Sequence, residues 1–150
     1  MSEHFHKRHN KTLLIYHIVF PVKYRRKAIK REVEVTFVTV CKGISERYEM
    51  NFIEIGTDDN HVHLLVQSVP KIPVETIVRT VKSITAKEIF RQHPEVKLIL
   101  WGGSFWTSGY YANTVGQYAN EEVIKKYIKE QGKEKEYKQI YRGQLKLFDI

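Results

Sequence analysis
Two β-rich runs, Asn51–Thr57 (NFIEIGT) and His61–Val69 (HVHLLVQSV), are separated only by Asp58-Asp59-Asn60. Parallel neighbours need a crossover of about a dozen residues or more, so a polar turn this short admits only an antiparallel hairpin. The other elements have to be arranged around that hairpin. Upstream, Thr12–Val22 (TLLIYHIVFPV) is rich in β-branched and aromatic residues and stops at Pro21, which reads as a buried strand. Lys23–Lys27 is a basic loop. Ala28–Tyr48 opens with a strand-like alternation at Val33, Val35 and Phe37. Over the longer window Val33, Phe37, Val40, Cys41, Ile44 and Tyr48 keep helical spacing, and length decides for a helix.

After the hairpin, Pro70 and Pro73 punctuate the chain. A second helix is expected over Val74–His93, with Ile77, Val81, Ile84 and Ile89 on one face and Pro94 as its stop. Val96–Trp101 reads as a short strand broken by Gly102-Gly103-Ser104 and resumed at Phe105-Trp106. Tyr110–Val115 reads as a further strand. Asn120 is a good N-cap for a last helix to about Gln131, with Glu121 and Glu122 in its first turn. The order β-α-β-β-α-β is that of the split βαβ motif. The expected fold class is α+β: a ferredoxin-like, RRM-like antiparallel sheet with helices on one face, plus a C-terminal helix carrying Tyr127.

The chain has 150 residues, which suits one domain over 1–150. Residues 1–11 are expected to be mobile. Residues 133–150 form a charged tail with enough apolar side chains for part of it to dock. One cysteine, Cys41, excludes a disulfide framework within the chain and fits a reducing compartment. No apolar run is long enough to span a membrane and the N-terminus has no apolar signal-like core, so a cytoplasmic protein without membrane contact is expected.

The net charge is +8, and its distribution is lopsided. Residues 1–31 hold nine of the 25 Lys+Arg but one of the 17 Asp+Glu, leaving sixteen of each sign for the rest of the chain. A local basic block reads either as a polyanion-contacting surface or as a solvated face.

His61-Val62-His63 falls near the start of a strand. Side chains two apart on a strand share a face, so both imidazoles can converge on one ion while Val62 packs on the opposite face. Such a pair is half a ligand set for a divalent metal, or simply two polar residues on a half-exposed sheet. Tyr127 and Gln131 are four apart on the last helix and share its face. A phenol can attack phosphorus and an amide carbonyl can complete a ligand set. A packed ring and a solvated amide are the plainer alternatives.

Together these residues carry a resemblance. Asp59-Asn60-His61-Val62-His63-Leu64-Leu65-Val66 resembles the histidine–hydrophobe–histidine (HUH) motif of the HUH endonucleases. Phe105-Trp106-Thr107-Ser108-Gly109-Tyr110-Tyr111, Thr114-Val115-Gly116 and Tyr127-Ile128-Lys129-Glu130-Gln131 resemble blocks of one branch, the single-tyrosine transposases of the insertion sequence 200/605 family. The likeness extends from about Thr12 to Gln131. One departure is Asn60, which stands where members often have Asp.

The resemblance implies that His61, His63 and Gln131 bind Mg²⁺ or Mn²⁺. Tyr127 would attack single-stranded DNA to give a 5′-phosphotyrosine and a free 3′-OH. The expected partners are single-stranded DNA with imperfect hairpins and a second copy of the chain. In that homodimer the tyrosine helix of one protomer would complete the histidine site of the other, with Gly116 and Gln117 as hinge. DNA contacts are then expected at Lys23, Tyr24, Arg25, Arg26 and Lys27, and on the second long helix at Arg79, Lys82 and Lys87.

Trp106 and Tyr110 read as core residues, His17 as a satisfied core histidine, and Cys41 as a small core residue. His4, His6 and His9 form a loose histidine-rich start. Two alternatives stay within HUH chemistry: a domesticated nuclease of palindromic repeats and a rolling-circle initiator. A third is a non-enzymatic, ferredoxin-like nucleic-acid-binding module. It is disfavoured because Phe52 is the only aromatic residue on the hairpin.

Overall fold
The computed structural model describes residues 5–6, 11–12, 14–115 and 138–139. The elements in chain order are β1 (Phe5–His6), β2 (Lys11–Thr12), β3 (Leu14–Pro21), α1 (Arg31–Arg47), β4 (Asn51–Thr57), β5 (His61–Ser68), α2 (Val74–Gln92), α3 (Val96–Leu100), β6 (Tyr111–Val115) and β7 (Lys138–Gln139). Among the described residues strands β1 and β2 form a separate two-stranded sheet. The main sheet has the order β6-β3-β5-β4-β7.

Strands β3 and β4 are both antiparallel to β5, which lies between them. They are therefore parallel to each other and split by one strand, as the element order requires. The ladder β3–β5 is regular from Leu14↔Ser68 to Pro21↔His61. The β4–β5 ladder slips once, between Phe52 and Glu54. The sheet is thus the expected antiparallel α+β arrangement.

Helices α1 and α2 pack on one face of this sheet. Ile18 and Phe20 of β3, Ile55 of β4, and Val62, Leu64 and Val66 of β5 meet Val33, Phe37, Cys41 and Ile44 of α1 and Ile77, Val81 and Ile89 of α2 in one cluster. Burying each large apolar side chain there contributes about 1.5–3 kcal/mol. Helix α1 starts at Arg31, three residues after the sequence suggests, with Glu32 and Glu34 in its first turn where the helix dipole favours anions. Helix α2 follows Pro73 and ends at Gln92. The residue before Pro94 avoids the α region, and His93 accordingly has φ −132° and ψ 67°.

One element differs from the sequence reading. Val96–Leu100 is a short helix, not a strand. Val96, Lys97 and Leu98 donate to the carbonyls of His93, Pro94 and Glu95 at 3.0–3.2 Å. Five residues are too few for periodicity to separate the two states, and the turn started by Pro94 decides it. Phe105-Trp106 likewise resumes no strand. Trp106 makes a single antiparallel bridge to Val22, and its ring enters the core.

Candidate metal centre and nucleic-acid interface
The second face of the sheet is unlike the first. Pleating sends Ile15, His17 and Val19 of β3 and His61, His63, Leu65 and Gln67 of β5 to the side opposite Val62 and Leu64. His17, Glu54, His61, His63 and Gln67 are all buried. Polar side chains in that position are costly unless partnered, so this face is an ordered polar layer.

His61 and His63 converge as their spacing predicts. Their Nε2 atoms lie 3.1 Å apart, with the rings at 65°. Metal–imidazole bonds of about 2.1 Å, opened at a right angle or tetrahedrally, set two nitrogens about 3.0–3.4 Å apart. The pair therefore fits one divalent ion. Asn60 Oδ1 accepts from His61 Nδ1–H at 2.8 Å. An amide oxygen can only accept, so the proton sits on Nδ1 and the Nε2 lone pair faces His63. Asn60, the departure from the motif noted in the sequence, thus still supplies an acceptor to His61.

His17 joins this group from the neighbouring strand. The register pairs Val19 with His63 and His17 with Leu65, which makes His17 the diagonal neighbour of His63. His17 Nε2 is 3.3 Å from His63 Nδ1, and the two rings stack with centroids 5.5 Å apart. Burial pushes the His17 imidazole down to about 4, so it is neutral near neutral pH. His17 is buried as the sequence suggests, but in the polar layer and not in the apolar core. Spacing along the chain gave no sign of the contact, because it arises from strand register.

Among the described residues no group of three His, Cys, Asp or Glu side chains could hold a metal ion. Tyr127 and Gln131, together with Gly116 and Gln117, the residues expected to act as hinge, lie outside the described residues.

The basic loop adjoins the histidine pair. The chain leaves β3 at Val22, whose amide donates to Asn60 O at 2.8 Å, and returns at Ile29, whose amide donates to Asp59 O at 2.9 Å. Both anchors belong to the turn that leads into His61. Lys23, Tyr24, Arg25, Arg26 and Lys27 are therefore held beside the start of β5. Arg25 N bonds to Val22 O at 2.8 Å and Arg26 N to Lys23 O at 3.2 Å. These two turns place Tyr24 at φ 57° and Arg25 at φ 51°. Such left-handed values normally call for Gly or Asn and cost an ordinary residue about 1 kcal/mol or more. Tyr24 is 65% exposed.

The α2 candidates separate. Arg79 and Lys82 line a groove of about 450 Å³ against residues 103–108 and Tyr110, and Lys87 is exposed outside it. Lys82 is held within the protein. Its ammonium donates to Thr107 O and Gly109 O at 2.7 Å each and lies over the rings of Phe20 and Tyr110. Burial lowers its pKa. Trp106 is buried as expected and donates from Nε1 to Thr85 Oγ1 at 3.0 Å. Tyr110 departs from expectation, being 41% exposed on the groove rim. No helix among the described residues is long and apolar enough to cross a membrane.

Comparison with known proteins bears on this arrangement. A family model described as "Transposase IS200 like" matches residues 10–131. The ISDra2 transposase TnpA of Deinococcus radiodurans is 30% identical over 118 residues, covering 79% of this chain and 84% of that protein. A transposase for insertion sequence element IS200 of Salmonella typhimurium is 31% identical over 116 residues, covering 77% of this chain and 75% of that protein.

Two solved structures share the fold. A Deinococcus radiodurans R1 protein described as a transposase aligns with a TM-score of 0.67 at 24% identity, over 85% of this chain and 98% of that one. A REP-associated tyrosine transposase bound to a REP hairpin aligns with a TM-score of 0.55 at 9% identity, over 89% of this chain and 74% of that one.

Proposed function
The chain belongs to the IS200-like transposase family, and on that premise we propose that it cleaves and rejoins single-stranded DNA at hairpin-marked ends through a covalent tyrosine intermediate. The observation that carries this reading is the His61–His63 pair, with Nε2 atoms 3.1 Å apart and the basic loop anchored to the turn beside it. That is a divalent-metal half-site next to a polyanion-binding surface.

In this reading His61, His63 and Gln131 hold Mg²⁺ or Mn²⁺, which when bound supplies charge neutralisation for the reacting phosphate. The Tyr127 phenol oxygen bonds to phosphorus as it gives up its proton, and the bond from phosphorus to the 3′-oxygen breaks. The products are a 5′-phosphotyrosine and a strand ending in 3′-OH. A 3′-OH from another strand then attacks the phosphotyrosine and regenerates Tyr127. The number of phosphodiester bonds is conserved, so no nucleotide cofactor is consumed. The basic loop neutralises phosphates, and binding should weaken steeply with salt. A homodimer with Tyr127 of one chain serving the histidines of the other belongs to the same proposal.

The test is incubation with single-stranded and duplex hairpin ends in Mg²⁺ or Mn²⁺, followed by a denaturing gel. A protein–DNA adduct is expected with single strands only. It should disappear in Tyr127→Phe, and it should disappear in EDTA or His61→Ala while hairpin binding survives. An adduct that persists in Tyr127→Phe places the nucleophile elsewhere, and cleavage in EDTA removes the metal from the mechanism. Mixing the Tyr127→Phe and His61→Ala proteins restores cleavage only if the sites are composite.

A further inference from the structure
We infer that Trp101, together with Tyr24, forms a stacking platform for unpaired bases of single-stranded DNA, an inference that rests on the proposed action on DNA. Three non-glycine residues among the described ones have positive φ: Tyr24, Arg25 and Trp101. All three carry aromatic or cationic side chains, and they lie in two segments that meet in space. Strained backbone of this kind persists only where the surroundings hold it, and it concentrates at binding sites.

Trp101 terminates α3 in the left-handed conformation, with φ 58° and ψ 37°, its amide donating to Lys97 O at 2.9 Å. Glycine is the usual residue in that slot. Here Gly102 and Gly103 follow immediately, yet the position is filled by the largest aromatic residue, and 79% of it is exposed. Hydrophobic burial does not account for it.

The link to the basic loop is direct. The Arg26 guanidinium lies over the Trp101 ring at 5.2 Å, and Lys23 Nζ lies 5.1 Å from the Tyr24 ring centre. A cation on one face of an indole that is otherwise exposed leaves the other face for a base. Neither 23–31 nor 96–104 contains an acidic residue. Exposed rings interleaved with Lys and Arg suit a single strand: each base offers a π-face and each phosphate a charge. Duplex DNA keeps its bases stacked and offers the rings nothing.

The experiment is a titration in EDTA, which separates binding from cleavage. Two probes of equal length are used: an oligothymidylate, and an oligomer of abasic deoxyribose phosphates. A hairpin DNA serves as a third arm. With wild-type protein the oligothymidylate should quench the emission of the exposed Trp101, whereas the abasic oligomer should quench little. Trp101→Leu should bind oligothymidylate about tenfold more weakly, and Tyr24→Leu should add a further loss. Trp101→Tyr should recover most of the affinity. Binding of the abasic oligomer should be the same in all variants.

Equal oligothymidylate affinity in wild type and Trp101→Leu overturns the platform, as does equal weakening toward both oligomers. If hairpin binding is intact in those cases, the reading of the protein as DNA-acting stands. If the wild-type protein binds neither oligomer nor hairpin, both readings fall.

Discussion

Asn60 Oδ1 lies 2.8 Å from His61 Nδ1, so the side chain just before the first histidine orients its ring and turns Nε2 toward His63. Asn60→Ala removes that acceptor and lets the imidazole change tautomer. Mn²⁺ affinity, read by electron paramagnetic resonance, should fall about 10–100-fold with little change in thermal stability. Asn60→Asp should bind at least as tightly as the wild type. If Asn60→Ala retains full affinity, the Nδ1 bond does not orient the ligand.

His17 offers His63 a similar contact from β3. His17→Phe keeps an aromatic ring beside His63 and loses the nitrogen. Mn²⁺ affinity should drop about tenfold, and the Nδ1 signal of His63 should shift in nitrogen NMR spectra of the metal-free protein. A loss of stability with neither of these effects would mean that His17 only packs.

Lys82 distinguishes a DNA contact from an internal brace. Lys82→Met removes the charged donor to Thr107 O, which is partly buried, and to Gly109 O, which water can reach. It should cost about 1–3 kcal/mol in denaturant unfolding and leave the salt dependence of hairpin binding nearly unchanged. Arg79→Met should do the opposite, with stability held and the salt slope lowered by about one. A lowered salt slope in Lys82→Met would return that residue to the DNA-contact set.

The Thr85–Trp106 bond can be tested by shape-conserving substitution. Thr85 Oγ1 accepts from Trp106 Nε1 and donates to Val81 O at 2.6 Å. Thr85→Val leaves the indole N–H unpaired in the core and should cost about 1–3 kcal/mol. Thr85→Ser should recover most of that loss. Equal stability for the Val and Ser variants would show the indole bond to be dispensable.

How much was legible in the sequence depended on whether a signal was local. The hairpin of β4 and β5, the apolar faces of α1 and α2, and the convergence of His61 and His63 all follow from periods of two and 3.6 along one segment. The meeting of His17 with His63 does not, because the register of β3 against β5 creates it. The roles of Lys82 and Arg26 were hidden for the same reason: nothing in their own segments says that carbonyls of the 107–109 loop, or Trp101, lie within reach. Val96–Leu100 failed differently, since five residues, four of them apolar, between a proline and two glycines fit either state. Trp101 passed unnoticed as the end of that supposed strand, where its left-handed backbone has no sequence signature.

Strand β5 carries both histidines, is buried at every position, and is hydrogen-bonded on both sides. Its amides should be among the last to exchange with deuterium, released only when the whole domain opens. The amides of 23–27 and 101–104 lie at the exposed margin and should exchange orders of magnitude faster. The molecule is thereby graded in local stability. The two nitrogens, whose 3.1 Å spacing has to be kept, sit on the strand expected to open last. The rings and cations proposed to follow a flexible strand sit on loops outside the sheet, so a change in those loops need not loosen the histidine pair.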